Sequence, residues 1–145
     1  NNSTKIQYFC SWDVWKHMHN NIEIYGSEGS MILPDPNFFG GNLLISNKDN
    51  NWENINTESM LLGMPNHLDN GVKRANYRGI GLSDMISNIN NKEVARCSID
   101  LSLHVLEIME GILKAASNEK IYFLESACKK PKLLSESEIS KLKVN

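Results

Sequence analysis

No run of apolar residues in this chain approaches the roughly 20 that a bilayer-spanning helix needs, and the polar start Asn1-Asn2-Ser3-Thr4-Lys5 has no apolar core of the kind a secretory leader carries. The expectation is a cytoplasmic protein with no membrane partner. Excess charge of either sign is also missing: the formal net charge is -2 and the pI about 6.1, so no basic field is available for nucleic acid. Cysteine is scarce, odd in number and widely spaced at Cys10, Cys97 and Cys128, which excludes a disulfide framework and implies reduced thiols. Asn2-Ser3-Thr4 matches a glycosylation acceptor pattern, but without a leader it is read as chance. There is no phosphate-cradling glycine loop, no repeat and no low-complexity array. What remains is 145 residues with 41% hydrophobic and 22% charged composition, the length of one domain and enough to bury about 68 to 70% of its unfolded surface.

Residues 22–41 organise the rest. Ile22 and Ile24, then Met31 and Leu33, alternate with polar or small residues, and Gly26-Ser27-Glu28-Gly29 supplies a turn between them, so two antiparallel strands follow. Pro34 lacks a backbone donor and Pro36 fixes its φ, so the second strand ends at Leu33 and Asp35 and Asn37 start a turn. Upstream, residues 5–12 alternate partly and are rich in aromatic and β-branched types, which reads as a further strand. A sheet strand so near residue 1 suggests a piece of something longer. Downstream, residues 42–46 form an apolar run bounded by Gly40-Gly41 and the polar stretch 47–51, with residues 52–55 as its hairpin partner. Residues 56–74 lose all periodicity, and Gly63, Pro65, Asn66, Asp69, Asn70 and Gly71 mark a long irregular connection, which in compact domains is often functional.

Two helices come next. Leu82, Met85, Ile86 and Ile89 fall at i, i+3, i+4 and i+7 within residues 77–90. Residues 98–117 form the stronger helix, with Ser98 as N-cap, Asp100 in the first turn and an apolar stripe of Leu101, Val105, Ile108, Met109, Ile112 and Ala116. Asn118 ends it, residues 121–124 read as a last strand, and residues 132–145 as a charged tail with one weak amphipathic turn at Ile139 and Leu142. The fold class is therefore α+β: a largely antiparallel open sheet with helices packed on one face, and the other face free for a subunit contact.

Histidines are the first chemistry to weigh. His17 and His19 could face one side of an extended segment, but no third ligand stands at a zinc spacing, so no metal is expected. His104, at the rim of the helical arc, reads as structural. A hydrolase or metal enzyme built on His17, His19 and His67 has neither a paired carboxylate nor a nucleophile at useful spacing.

Three ordered segments carry a resemblance: Tyr25-Gly26-Ser27-Glu28-Gly29-Ser30 with Pro34-Asp35-Pro36-Asn37, then Arg78-Gly79-Ile80-Gly81-Leu82-Ser83-Asp84-Met85, then Leu103-His104-Val105-Leu106-Glu107-Ile108-Met109-Glu110. Together they resemble the C-terminal domain of the glucose-fructose oxidoreductase, inositol dehydrogenase and rhizopine-catabolism (Gfo/Idh/MocA) family. That family pairs an N-terminal dinucleotide-binding domain with an α+β domain that shapes the substrate site and mediates oligomerisation. The resemblance implies a parent enzyme that moves a hydride between NAD or NADP and a sugar, cyclitol or related polyol. Residues 1–131 would be the later part of its second domain. The dinucleotide fingerprint, the Glu-Lys-Pro segment with the catalytic lysine and the Asp-x-x-x-His helix are absent, and Lys129-Lys130-Pro131 stands too late to replace the second. This chain alone should therefore bind no cofactor and carry no catalytic residue. Its expected roles are sheet scaffold, homo-oligomer contact and part of a substrate wall, with His67, Tyr77 and Arg78 as the substrate-facing residues. The alternative is a stand-alone, non-catalytic dimerising or interaction module.

Overall fold

The computed structural model describes residues 4–48 and 51–142. Its centre is a four-stranded antiparallel meander of β1 (Ile22–Tyr25), β2 (Gly29–Leu33), β3 (Leu43–Asn47) and β4 (Glu53–Ile55), in that spatial order. The first hairpin closes where the glycines predict, with the Gly26 N–H donating to the Gly29 carbonyl at 2.8 Å, and β2 stops at Leu33 before Pro34. Register places Ile22, Ile24, Met31, Leu33, Leu43, Ile45 and Ile55 on one face, since Ile24, Met31, Ile45 and Glu53 are successive cross-strand partners. The class is α+β with an open sheet. The helices make no close backbone approach to this sheet, whose apolar face is half-buried at β2 and β3 and exposed at Ile22 and Ile24 of β1.

The sequence expectation of a strand at residues 5–12 does not hold: this segment is exposed, without regular structure and unpaired. Its β-type residues describe a surface that packs on a neighbouring strand, and no such neighbour lies beside it. The last expected strand, residues 121–124, is likewise without regular structure and unpaired. Residues 56–74, read as irregular, contain a second hairpin of β5 (His67–Asp69) and β6 (Val72–Arg74). Asn70 and Gly71 turn it with φ of 47° and 81°, the pair of positive values a two-residue hairpin loop demands. Asp49 and Asn50 of the expected turn after β3, the Asn2-Ser3 part of the glycosylation pattern and the final three residues fall outside the described residues.

Helix α1 (Ile80–Asn91) begins after Tyr77 turns the chain, and it is inside out relative to its periodicity. Ile80, Asp84 and Asn88 face inward, whereas Leu82, Met85, Ile86 and Ile89 are exposed. Asp84 is tolerated there because the Arg96 guanidinium pairs with it, and the Asn88 side chain donates to the Asp84 carbonyl at 2.7 Å. Helix α2 (Ile99–Asn118) has the expected cap: Ser98 Oγ accepts the Leu101 N–H at 3.2 Å. Its inward side carries His104, Glu107 and Gly111, against which residues 122–126 lie, and its apolar stripe faces out. Helix α3 (Glu136–Leu142) closes the chain, and its Ile139, 3% exposed, joins Leu62 and Ile80 in the small core with Tyr77, Leu134 and Leu142 around it.

Candidate functional site

Two turns brought face to face build the candidate site. Thr57 Oγ1 accepts the Gly41 N–H and donates to the Gly41 carbonyl, both at 2.9 Å, which seats the end of the 34–41 turn on the 57–63 turn. The approach is close enough that a Cβ on Gly63 would stand 1.8 Å from the Thr57 carbonyl oxygen. The hairpin β5–β6 is then tied to the first turn by the Phe39 N–H donating to the Ala75 carbonyl at 2.9 Å. Asn66 clamps its base: its side chain accepts the Asn76 N–H at 2.7 Å and donates to the Asn76 carbonyl at 3.0 Å.

Tyr77 and Arg78 converge on that turn. The Tyr77 hydroxyl donates to the Met64 carbonyl at 2.9 Å and its ring meets Phe39 edge-on, centroids 5.9 Å apart at 83°. Arg78 Nη2 donates to Asn37 twice, to Oδ1 at 2.8 Å and to the carbonyl at 3.3 Å. An Arg78–Asp84 pair, the other arrangement open to this helix entry, is not formed, because Arg96 takes Asp84. His67 stands apart from the two, exposed at the start of β5 and opposite Arg74 across the hairpin.

Arg74 is the residue that sequence reasoning missed. Its Cζ lies 4.9 Å from the centroid of the Phe38 ring, a cation–π distance, so Arg74 and Arg78 grip neighbouring residues of one turn. The signal available was the basic cluster Lys73-Arg74-Ala75-Asn76-Tyr77-Arg78, with its two arginines four apart.

Elsewhere the chemistry is structural. A polar cleft of about 180 Å³ between α1 and α3 is lined by Asp84, Asn88, Arg96 and Glu138, but Arg96 is consumed there, with Nη2 to Glu138 at 2.5 Å and Nε to the Lys132 carbonyl at 2.9 Å. His104 Nδ1 sits 2.9 Å from Ser126 Oγ, and the Glu107 carboxylate accepts the Glu125 and Ser126 N–H groups at 2.7 and 2.8 Å. Those backbone donors, Glu125 first, and the Ser126 hydroxyl hold the Glu107 carboxyl down at about 2. His17 and His19 stack with centroids 6.4 Å apart, and no three His, Cys, Asp or Glu side chains among the described residues are placed to hold a metal ion.

Gly79 and Gly81 enter α1 from an antiparallel hairpin, without the parallel βαβ crossover that aims a helix N-terminus at a pyrophosphate. No helix among the described residues is long and apolar enough to cross a membrane. Compared with known protein families, with curated proteins and with solved structures, the chain matches none, so its functional reading rests on the residues described above.

Proposed function

We propose that this chain is the later part of the substrate and oligomerisation domain of an NAD(P)-dependent oxidoreductase acting on a sugar, cyclitol or related polyol. It supplies sheet scaffold, homo-oligomer contact and one wall of the substrate site, while the dinucleotide is held by a separate domain of the parent enzyme. The observation that carries the reading is the Arg78–Asn37 bond. It joins two of the three resembling segments, 41 positions apart in sequence, into one surface. Loops fixed on a scaffold in this way are where binding residues concentrate. Tyr77 supports that wall by packing and His67 lies at its margin.

The decisive measurement is made in the enzyme that contains both parts: NAD- and NADP-dependent oxidation of a polyol panel, with Arg78→Ala beside wild type. A drop of kcat/KM beyond about threefold, equivalent to about 0.7 kcal/mol of transition-state stabilisation, is expected. The 145-residue chain alone is expected to show no micromolar affinity for either dinucleotide by calorimetry, and such affinity would sink the reading. The exposed apolar side chains of β1 and α2 favour a second reading, a non-catalytic interaction module. Absence of polyol oxidation by the two-part protein would select it.

A further inference from the structure

Of the three arginines in the sequence, Arg96 is paired with two carboxylates, whereas neither Arg74 nor Arg78 pairs with one among the described residues. The ion pairs among the described residues are Arg96 with Asp84 and Glu138, and Lys114 with Glu110. Unpaired arginines are ordinary when they wave in solvent, but these two are held. Arg74 lies over Phe38 with its Nε buried and without any acceptor, alone in that respect among the described residues. Buried N–H groups are nearly always satisfied, and the orphaned Nε leaves the Arg74 guanidinium without an acceptor of its own among the described residues. Arg78 is anchored through Nη2 on Asn37, which leaves Nη1 and Nε without partners. The acidic neighbours do not compete: Asp35 Oδ1 accepts the Asn37 N–H at 2.9 Å, and Asp69 lies at the far end of the hairpin against Val72. His67, the cross-strand partner of Arg74, stands on the same face of the hairpin.

We propose that Arg74 and Arg78, held against Phe38 and Asn37 of the 34–41 turn, form an oxyanion-binding pair that takes the carboxylate or phosphate of an acidic sugar. A planar guanidinium offers parallel donors that match such oxygens, and one fixed in advance loses less side-chain freedom on binding than a mobile lysine. The sugar part of the ligand rests on the functional reading above; the oxyanion part stands on the two arginines.

The test is titration of the 145-residue chain, followed by amide NMR, with D-glucuronate, D-glucose 6-phosphate, inorganic phosphate and neutral D-glucose. At least one acidic sugar is expected to bind about tenfold more tightly than D-glucose, with shifts centred on residues 37–39 and 73–78. Arg74→Gln and Arg78→Gln should each weaken it about tenfold, and Arg74→Lys, which keeps charge but loses the fork, should also weaken it. Lys114→Gln, a distant cation already paired with Glu110, should change affinity by less than about twofold. Amide spectra of each variant report its fold, and because Arg74→Lys leaves every hydrogen bond of the turn in place, it serves if a Gln variant unfolds. Whichever acidic sugar binds more tightly identifies the oxyanion. Equal affinity for D-glucose and both acidic sugars, or variants that bind like wild type, would overturn the proposal. Inorganic phosphate binding as tightly as D-glucose 6-phosphate would overturn its sugar part. Neutral-sugar binding as tight as that of the acidic sugars and weakened by Arg78→Gln but not by Arg74→Gln removes this inference and leaves the oxidoreductase reading standing. Oxyanion binding by a chain whose parent oxidises no sugar does the reverse.

Discussion

Thr57 is the residue on which the candidate site turns. Its hydroxyl is 16 positions from Gly41 and closes both a donor and an acceptor of that backbone, using the two capacities a hydroxyl has. Thr57→Val keeps the shape and removes both bonds, leaving Gly41 groups unpaired in a partly buried place. A loss of about 1–3 kcal/mol is expected in urea unfolding, while Thr57→Ser stays close to wild type. A valine variant with unchanged midpoint would show that the two turns are held by something else. The Asn37–Arg78 bond depends on that seating, so amide exchange at residues 37–39 should quicken in the valine variant. Such a contact was not legible beforehand: threonine between Asn56 and Glu58 looks like any loop residue. Its partner is chosen by how two turns meet.

At the scale of the element, the helix that periodicity describes best is not always oriented by it. Helix α1 turns Asp84 and Asn88 inward because Arg96 supplies a counter-charge from 12 positions away, and α3 closes over the same side. The Ser135 hydroxyl and N–H, then Arg96, hold the Glu138 carboxyl at about 2. Ile139 is the apolar pin of α3, and Ile139→Ala is expected to cost about 2–5 kcal/mol locally. It should appear as fast amide exchange in residues 136–142 and around Ile80, and protection equal to wild type would contradict the pin. Glu138 on α3 and Glu107 on α2 both carry an acid-side pH dependence, and that of Glu107 is read at its two backbone donors. Glu107 falls from 4.5 to about 2 in the folded chain, so the depressed carboxyl stabilises the docked 122–126 segment above pH 4.5. That contribution is lost as pH falls from 4.5 through about 2. The Glu125 and Ser126 amide resonances should move across that window in wild type, and Glu107→Gln should remove the titration while keeping an acceptor. A titration that persists in Glu107→Gln would assign it to another group.

For the whole molecule the governing quantity is surface. The chain exposes 12,960 Å², whereas a folded monomer of its 16.4 kDa mass exposes about 7,500 Å² on the usual scaling, so it carries about 1.7 times the expected area. Large apolar side chains contribute to the excess, with Trp12 at 95%, Leu113 at 68% and Ile24 at 50% exposure. At about 5,500 Å² per chain it exceeds the roughly 1,000–2,500 Å² that each partner of an obligate homodimer buries, so one contact would cover part of it. Self-association through the sheet face of Ile24, Met31 and Ile45 is the expected result of sedimentation at about 100 µM. Met31→Asp, at the centre of that face, should shift the population toward monomer. A clean monomer in wild type would contradict the assignment.

What the sequence determined by itself is local. Gly26 and Gly29 set the first turn, alternation marked β1 and β2, Pro34 stopped β2 at Leu33, a turn-bounded apolar run marked β3, and Ser98 started α2. Each of these follows from backbone dihedrals and donors within a few residues. Tyr77 and Arg78 stand out in the sequence because they border a glycine-marked helix entry, whereas nothing there marks their partners Met64 and Asn37. The tertiary structure alone decided three things. The strand-like residues 5–12 remain unpaired because pairing requires a neighbouring edge; three-residue strands formed around Asn70-Gly71 although too short for a period to register; and Arg74 came to lie on Phe38. Pairing, burial and cation–π contact join residues distant in sequence, and their free energy depends on which surfaces the fold brings together rather than on the spacing along the chain.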